Sequence, residues 1–352
     1  MIRRMIFRNE RSLYKRKCDA TGKEIISIYS SDKPFGVYDQ KYWWSDNWDP
    51  MEYGRDYDFN KPFFEQFRDL FGRVPLINLS ATNLVDCSYC NISADDKECY
   101  LISGSEANER VMFANRVGYN KDSLDIYIGT KNELCYQTIN CNQCYKLSFS
   151  HNCYQCVDST FLLNCTNCTN CFGCINLRNK SYHLFNQPYS KEEYQNKLKE
   201  LNLSSFIKIE ELKEKTQETH LKEIFKFANI VKSVDTTGDN VQYAKKCLNC
   251  FDILGSPSAE DCKFFNWGGY NTKDSYDIGP GVGVSAELFY EAFDCMRSSR
   301  LHFTNVVYDS YNIFYSINCH NSKDLFGCIG LRNKQYCILN KQYTKEEYEQ
   351  LV

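Results

Sequence analysis

Small and apolar residues recur every 12 positions in two stretches of the chain. From Asn140 the sequence runs NCNQCYKLSFSH, then NCYQCVDSTFLL from Asn152, then NCTNCTNCFGCI from Asn164. A fixed short period is typical of a solenoid, because one rung cannot bury its apolar side without neighbours stacked on it. The pattern predicts a mainly β, β-helix-like solenoid with 12-residue rungs. If one rung is one coil, the interior is narrow and suits Cys, Ser and Ala. If two rungs make one coil, the interior has room for Phe149 and Phe161.

The same register returns near the end of the chain. FGCINLRNKSYHLFNQPYSKEEYQ begins at Phe172 and FGCIGLRNKQYCILNKQYTKEEYE at Phe326, an offset of 154 residues. Upstream of the second segment, DCMRSSRLHFTN, VVYDSYNIFYSI and NCHNSKDLFGCI keep the 12-residue register. We therefore predict a duplicated solenoid. The expected regions are an N-terminal module with a helix (1–75), the first copy with a closing helix (76–200), a helical linker (201–240) and the second copy with a closing helix (241–352).

Helix signals mark the end of each copy. SKEE at Ser190 and TKEE at Thr344 are capping boxes, in which the hydroxyl accepts from the amide three residues on and the glutamate there accepts from the cap amide. Each box predicts a helix that covers the open end of its solenoid. The charged middle of residues 204–233 favours a linker helix or helix pair. The segment PFFEQFRDLFG predicts a further helix with Pro62 in its first turn.

Charge and composition limit the classes of function. The 352 residues contain 42 basic and 45 acidic side chains, so the chain as a whole lacks the field of a general nucleic-acid or membrane binder. We find neither an apolar stretch long enough for a membrane helix nor the apolar core of a signal peptide, and we expect a cytoplasmic protein without a membrane partner. In a reducing compartment its 20 cysteines are metal ligands, buried apolar groups or reactive thiols rather than disulfides.

Eight cysteines of the first copy have spacings that are typical of metal sites. Four follow the C-x2-C-x8-C-x2-C pattern of a zinc site, namely Cys141, Cys144, Cys153 and Cys156. Four more are spaced like an iron–sulfur run, namely Cys165, Cys168, Cys171 and Cys174. In the second copy, Ser, Val or Leu stands at five of these eight positions, and none of these side chains replaces a thiolate ligand. We therefore expect the cysteines to pack as small apolar groups and expect no cofactor, with zinc or an iron–sulfur cluster as the alternative.

The N-terminal module has the spacing of a zinc ribbon without its ligands. Two knuckle-like segments place Cys18, Thr21, Asp39 and Tyr42 where a ribbon has four cysteines. One thiolate cannot hold structural zinc, so we expect a degenerate ribbon that aromatic packing stabilises. This module, the cysteine rungs and the LRNK-x-Y…EEY ending resemble a group of bacterial cysteine-repeat proteins with an N-terminal zinc ribbon. No function is known for that group, so the resemblance implies an architecture and no activity.

Two sets of basic residues are candidate contact sites. The N-terminal arm is rich in Lys and Arg and could neutralise phosphates of RNA or DNA; its residues are Arg3, Arg4, Arg8, Arg11, Lys15, Arg16 and Lys17. The alternative for this arm is a solvated terminal segment. The two LRNK segments could hold an anion or a partner; their residues are Arg178, Lys180, Arg332 and Lys334. The alternative for these segments is that they pair with nearby carboxylates and position the closing helices.

Three functional hypotheses follow from these features. The first is a non-enzymatic binding or scaffold protein that presents a solenoid surface to a protein or nucleic-acid partner. The second is a zinc or iron–sulfur protein that uses the cysteines between Cys141 and Cys174. The third is a polysaccharide-active β-helix enzyme, which needs a cluster of carboxylates in one groove. The sequence contains no Walker loop, no G-x-S-x-G and no H-E-x-x-H motif, and we assign no catalytic residue.

Overall fold

The structure, a computed structural model, describes residues 11–254 and 257–352. It is 46% strand, and its stacked coils form a β-solenoid of about 21 turns, which confirms the predicted mainly β solenoid. The chain divides into two compact units. Unit 1 contains residues 11–79 and Lys226–Val352, which are the N-terminal module and the second copy. Unit 2 is Ser80–Phe225, which is the first copy followed by the linker helix.

Short strands and helices build the N-terminal module of unit 1. The strands are β1 (Tyr14–Lys17), β2 (Glu24–Ser27), β3 (Val37–Tyr38) and β4 (Leu76–Ile77). β1 and β2 form an antiparallel hairpin, whereas β3 and β4 pair in parallel. The helices are α1 (Gln40–Trp43), a 3-10 helix (Pro50–Tyr53) and α2 (Phe63–Arg73). Pro62 precedes α2 as its N-cap, so the helix expected in this segment is confirmed.

Unit 2 is a parallel solenoid that ends in an antiparallel hairpin. Its strands are β5 (Ala81–Thr82), β6 (Asn91–Ala94), β7 (Tyr100–Glu106), β8 (Glu109–Gly118), β9 (Lys121–Thr130), β10 (Tyr136–Asn142), β11 (Tyr145–His151), β12 (Val157–Thr160), β13 (Thr169–Phe172), β14 (Ser181–Leu184) and β15 (Gln187–Pro188). Tyr136 pairs with Ser148, and Leu147 pairs with Ser159. Each partner lies one rung further along the chain, so one rung forms one full coil.

Each coil has four short sides because its backbone turns at every third residue. The corners of one coil have φ between 50° and 56°, the left-handed region that few non-glycine residues occupy; they are Asn140, Gln143, Lys146 and Phe149. The residue after each corner points inward and is buried; these residues are Cys141, Cys144, Leu147 and Ser150. A corner costs roughly 1 kcal/mol, and hydrogen bonds between stacked coils offset that cost. A coil this narrow takes mostly small inward side chains, and Leu147 is the largest of these four.

Two helices follow the first copy in unit 2. Helix α3 (Lys191–Glu200) begins with the predicted capping box, in which Ser190 and Glu193 satisfy each other's backbone amides. Helix α4 (Phe206–His220) covers a row of aromatic side chains on the outside of the coils. Leu212 of this helix joins an apolar cluster with Phe161, and the ring of Phe161 stacks on that of Phe149 at 4.9 Å. Phe149 and Phe161 therefore lie outside the coil and under a helix, not inside a wider coil.

The solenoid of unit 1 repeats this construction. Its strands are β16 (Ile230–Val231), β17 (Gly238–Gln242), β18 (Cys250–Ile253), β19 (Ala259–Glu260), β20 (Lys263–Gly268), β21 (Thr272–Lys273), β22 (Tyr276–Ile278), β23 (Gly283–Tyr308), β24 (Tyr311–Phe314), β25 (Ile317–His320), β26 (Lys323–Phe326), β27 (Gln335–Ile338) and β28 (Lys341–Gln342). The predicted capping box at Thr344 begins helix α5 (Lys345–Leu351). Here a helix of the N-terminal module covers the aromatic row, because the ring of Phe63 lies 5.0 Å from that of Phe326.

Some early coils of this solenoid are wider than the regular rung. Ala259 pairs with Thr272, and Thr272 in turn pairs with Ala286, so these coils contain more residues than the coils of unit 2. From Ser299, which pairs with Tyr311, the regular rung spacing returns. The extra residues enlarge the early coils of the unit 1 solenoid.

Candidate binding groove and aromatic pocket

The cysteines of the first copy form columns along the inside of the unit 2 solenoid. One column contains Cys141, Cys153 and Cys165, and a second contains Cys144, Cys156 and Cys168, while Cys171 and Cys174 occupy the two remaining inward positions of the last of these coils. All eight side chains are buried. Their C-x2-C spacing follows from the three-residue side of the coil, because successive inward positions are three residues apart.

The thiols of the second column contact backbone carbonyl groups, and serine does the same in unit 1. Cys156 Sγ donates to Tyr154 O and to Cys165 O, both at 3.6 Å. At the corresponding place, Ser310 Oγ donates to Tyr308 O at 2.8 Å and accepts from Ser322 N at 3.1 Å. A small side chain that donates to the backbone fits both solenoids. This shared role explains why Ser stands in the second copy where the first copy has Cys.

Burial in this narrow interior disfavours the thiolate form of several cysteines, whereas hydrogen bonds with neighbouring thiols lower the pKa of Cys168 and of Cys174. Burial raises the pKa of Cys295 and of Cys319 to about 12, and it raises the pKa of Cys153 well above its usual value. Metal binding needs the deprotonated thiol. Among residues 11–254 and 257–352, no group of three or more His, Cys, Asp or Glu side chains has the arrangement of a metal site. The zinc or iron–sulfur alternative remains a prediction for metal analysis.

A long polar groove follows the outside of the unit 1 solenoid and has a volume of about 1220 Å³. A row of stacked corners forms one edge, namely Arg297, Asp309, Asn321 and Asn333. The neighbouring outward column forms the floor, namely Ser299, Tyr311, Lys323 and Gln335. The wide coils supply the far wall through Asn271, Lys273 and Glu287, and Lys334 lies at the other end. Since stacked coils are about 4.8 Å apart, the groove extends for roughly 24 Å along the solenoid.

The charges in the groove are not balanced. Arg297 donates from Nε and Nη2 to the two carboxylate oxygens of Asp309, at 2.6 and 2.8 Å. This contact holds the pKa of Asp309 below its usual value and raises the pKa of Arg297. Within the described part of the chain, the groove residues Lys273, Lys323 and Lys334 form no ion pair. Three lysines without an ion pair therefore outnumber the one further carboxylate of the described lining, Glu287, and the groove has excess positive charge.

A smaller pocket of about 410 Å³ adjoins the groove, because Asn321, Asn333 and Lys334 line both cavities. Residues of the N-terminal module form its other side, including Trp44, Trp48 and Asp46. The segment that follows α1 therefore completes a pocket on the last coils of the solenoid. Both cavities belong to unit 1.

Arg332 lies among the indoles of this pocket. Its guanidinium carbon is 5.4 Å from the ring centre of Trp43, 5.9 Å from that of Trp44 and 5.7 Å from that of Trp48. One N–H group, on Nη2, donates to Ser45 O at 3.2 Å. Burial lowers the pKa of this arginine, against the opposing effect of nearby Asp46. The guanidinium stays cationic, because an arginine side chain keeps its charge in proteins.

His320 is the buried polar group of the pocket. Its ring lies 4.8 Å from that of Trp44 and 5.1 Å from that of Tyr308, and only 8% of the residue is exposed. Nδ1 has no hydrogen-bond partner among the described residues. Burial lowers the pKa of His320 to about 4, so the imidazole is neutral at pH 7. A neutral ring leaves one nitrogen able to accept a hydrogen bond and one able to donate.

The two LRNK segments, which the sequence pairs as equivalents, have different surroundings. Arg178 is exposed and donates to Leu177 O at 2.9 Å and to Asn164 Oδ1 at 3.2 Å. Lys180 is also exposed, whereas Arg332 and Lys334 line the pocket. None of these four basic residues forms an ion pair with a described carboxylate. The pairing with carboxylates that the sequence suggests for these segments is therefore not seen in the described part of the chain.

The basic arm is only partly covered by the structure. Arg3, Arg4 and Arg8 lie outside the described residues. The side chain of Arg16 is 5% exposed, because its guanidinium pairs with Asp19 at 2.8 Å and donates to Ser30 O at 3.1 Å. The remaining candidates of the arm are exposed, and they are Arg11, Lys15 and Lys17. Arg16 thus stabilises the module, while the other three face solvent.

The positions with ribbon-like spacing meet at one place in the N-terminal module. Cys18 Sγ donates to Asp39 Oδ2 at 3.3 Å and accepts from Asp39 N at 3.2 Å. Thr21 Oγ1 donates to the same carboxylate oxygen at 3.4 Å, and Tyr42 N donates to Asp39 Oδ1 at 3.1 Å. Hydrogen bonds centred on Asp39 hold these knuckle-like segments together.

Comparison with known proteins adds no function. No protein-family model matches the sequence. No curated protein gives a significant match. No helix of the described residues is long and apolar enough to cross a membrane.

Sequence reasoning misses the residues that form the pocket. The sequence gives the aromatic residues of the module, which include Trp44 and Trp48, only a stabilising role. His320 has no histidine counterpart in the first copy, where Thr166 stands. One signal is present. The second copy has Gly330 beside its LRNK segment, where the first copy has Asn176. The loss of a side chain next to a retained segment indicates that another part of the chain packs against this position.

Proposed function

We propose that the protein is a non-enzymatic binding protein that holds a single-stranded nucleic acid in the groove of unit 1. The observation that carries this proposal is the set of unpaired lysines along a polar groove, namely Lys273, Lys323 and Lys334. Cations at both ends of a groove of roughly 24 Å suit a chain of phosphates. Tyr311, which is 43% exposed, offers a ring on the floor of the groove for a base to stack on.

The lining of the groove favours nucleic acid over a protein partner. Protein interfaces have a core of apolar and aromatic anchors that become fully buried. In this groove Ala286 is the one aliphatic residue among the described lining residues, and Tyr311 is the one aromatic residue. Hydroxyl, amide and charged groups make up the rest. Hydroxyl, amide and ammonium groups donate to phosphate and sugar oxygens, as most protein contacts with nucleic acids do.

The same lining argues against polysaccharide cleavage. Glycoside hydrolysis uses a pair of carboxyl groups, one of which is an acid with a raised pKa. In the groove, Asp309 is bound through both oxygens to Arg297, which lowers its pKa. Glu287 is the other carboxylate among the described lining residues. Because its pKa is lowered, Asp309 is not suited to act as the catalytic acid. We therefore propose binding without catalysis.

The test is the salt dependence of binding to a labelled single-stranded oligonucleotide of mixed sequence, measured by fluorescence anisotropy. Lys323→Thr introduces the residue that the first copy has at this place, Thr169, so the fold should tolerate it. The wild type should bind at low salt and weaken as salt is added. Each lysine that contacts a phosphate contributes about 0.7 to the slope of log K against log salt for a single strand. Lys323→Thr and Lys334→Ala should each reduce that slope by about this amount.

Lys180→Ala is the matched control, because Lys180 occupies the place in the first copy that Lys334 has in the second. It should leave both affinity and slope unchanged. A wild type that fails to bind DNA or RNA strands at low salt contradicts the proposal. Equal weakening by Lys180→Ala and Lys334→Ala also contradicts it, because binding would then depend on total charge rather than on the groove.

A further inference from the structure

The pocket beside the groove offers an open aromatic face. Trp44 is 43% exposed, and it is held from behind by Trp43, whose ring lies 4.9 Å away at 81°, and by His320. Packing on two sides fixes the orientation of the indole, and its exposed part lines the pocket. A rigid, half-exposed indole is a stacking surface for a flat ring, because every nucleobase has a π-face.

The polar groups around this face have both signs of charge. Arg332 and Lys334 line one side, and neither forms an ion pair with a described carboxylate. Asp46 and Asp49 line the other side. Asp49 Oδ1 already accepts from Met51 N at 2.9 Å, as the N-cap of the 3-10 helix. Asp46 is exposed. The pocket therefore combines two donors for an anion with a carboxylate that can accept from hydroxyl groups.

His320 gives independent support for a ligand. It is nine-tenths buried in the lining, and its Nδ1 has no partner among the described residues. A buried polar atom without a partner costs free energy. A ligand that hydrogen-bonds to the ring would remove that cost.

We propose that this pocket binds a single nucleotide. The base stacks on Trp44, the phosphate lies between Arg332 and Lys334, and the sugar hydroxyls donate to Asp46. The volume of about 410 Å³ is within the range of small-ligand pockets, roughly 300–1000 Å³. The nucleotide is either free or the end of a strand in the groove, and only the second source rests on the proposed function.

The experiment is isothermal titration calorimetry of the full-length protein with four probes, which are AMP, adenosine, ribose 5-phosphate and a short single-stranded oligonucleotide. AMP should bind saturably and about tenfold more tightly than adenosine, which lacks the phosphate, or ribose 5-phosphate, which lacks the base. Trp44→Ala should weaken AMP binding about tenfold or more. Lys334→Ala should weaken it less, and its matched control Lys180→Ala should leave it unchanged. Near-ultraviolet circular dichroism checks that the Trp44 variant keeps its fold.

The outcomes separate this inference from the proposed function. Binding of AMP but not of the oligonucleotide supports the pocket as a site for free nucleotides and contradicts the strand-binding groove. Binding of the oligonucleotide with no saturable binding of AMP at millimolar concentration overturns the pocket and leaves the groove. Equal affinity for AMP and ribose 5-phosphate also overturns the pocket, because the indole face would then contribute nothing. An AMP affinity that is unchanged in a folded Trp44→Ala variant would also overturn the pocket.

Discussion

The two LRNK segments have the same four letters and different chemistry. In the first copy, Arg178 is exposed and donates to Asn164 Oδ1 and Leu177 O. In the second copy, Arg332 lies within 6 Å of three indole rings and lines a pocket. The rungs beneath are built in the same way. The two copies differ in the segment that packs on the outside of these rungs. The repeat therefore forms the scaffold, and in the second copy the N-terminal module completes the site.

A single residue next to each arginine accompanies this difference. Gly330 turns the backbone with φ 74° beneath the indoles, and a Cβ at this position would lie 3.6 Å from both Trp43 and Trp48. In the first copy the corresponding residue is Asn176, whose amide donates to Ile224 O at 2.8 Å. An asparagine side chain extends well beyond Cβ and would meet the indoles. Glycine at position 330 therefore allows Trp43 and Trp48 of the N-terminal module to pack against this coil.

The largest difference between the two copies should be a loss of stability in the second copy as the pH is lowered. His320 has no counterpart in the first copy, and its folded pKa of about 4 lies below the unfolded value near 6.5. The unfolded state thus binds more protons between these values, so stability is complete above pH 6.5 and falls as the pH falls towards 4. The loss should reach on the order of 3 kcal/mol for His320 alone. Asp309 and Arg332 are the charges that act on it, and burial remains the main cause.

Tryptophan fluorescence during urea unfolding measures this loss, because all four tryptophans of the chain belong to unit 1. His320→Phe keeps a ring against Trp44 and Tyr308 and removes the titration. The variant should lose about 2 kcal/mol less than the wild type between about pH 7 and about pH 5. Parallel pH curves for the two proteins would refute the burial of a neutral His320.

Exchanging the residues that differ beside the arginines should have the next largest effect. Gly330→Asn gives the second copy the residue of the first. Asn tolerates positive φ, so the cost comes from its side chain against Trp43 and Trp48, roughly 1–3 kcal/mol of overpacking. The same fluorescence unfolding curve checks it. The reverse change, Asn176→Gly, lies in unit 2 and should leave the tryptophan signal of unit 1 unaltered. A Gly330→Asn protein as stable as the wild type would show that the indoles do not rest on this corner.

The smallest effects should come from exchanging inward residues between the copies. Cys156→Ser should change the free energy of unfolding by less than about 1 kcal/mol, because Ser310 makes the same backbone contact in unit 1. Cys156→Val should cost about 1 kcal/mol more, since it removes the contacts of this side chain with Tyr154 O and Cys165 O. Cys153→Val is the control, because Val307 occupies the corresponding position in the second copy. Urea unfolding followed by far-ultraviolet circular dichroism measures all three.

The same proteins test the metal alternative. Anaerobically purified wild type should contain less than a tenth of an equivalent of zinc or iron per chain, and Cys156→Ser should not differ from it. Near-stoichiometric metal that Cys156→Ser loses would establish the cysteine site instead.

The 12-residue period is enough to predict the solenoid, and the capping boxes are enough to place both closing helices. These features are local, because each depends on residues a few positions apart. The choice between one and two rungs per coil stays open at the level of sequence, because the sequence does not reveal the left-handed corner at every third residue. Only that corner puts Phe149 outside the coil.

The pocket cannot be predicted from the sequence, because its parts are far apart in the chain. Trp44 comes from the module, and His320 and Arg332 come from the last coils, so nothing in the local pattern joins them. The groove escapes prediction in part. Its floor, with Tyr311 and Lys323, follows the 12-residue period. Its far wall comes from the wider coils, which that period does not predict. The duplication predicts two equal LRNK sites, and packing of the module makes them unequal.

Photo-crosslinking to a single-stranded RNA that contains 4-thiouridine tests the central claim most directly. After irradiation and digestion, mass spectrometry identifies the peptides that carry RNA. The crosslinks should fall on the groove, within residues 271–335, and on the pocket segment at residues 44–50. Crosslinks confined to residues 80–225, or none at all under conditions of saturated binding, would contradict it.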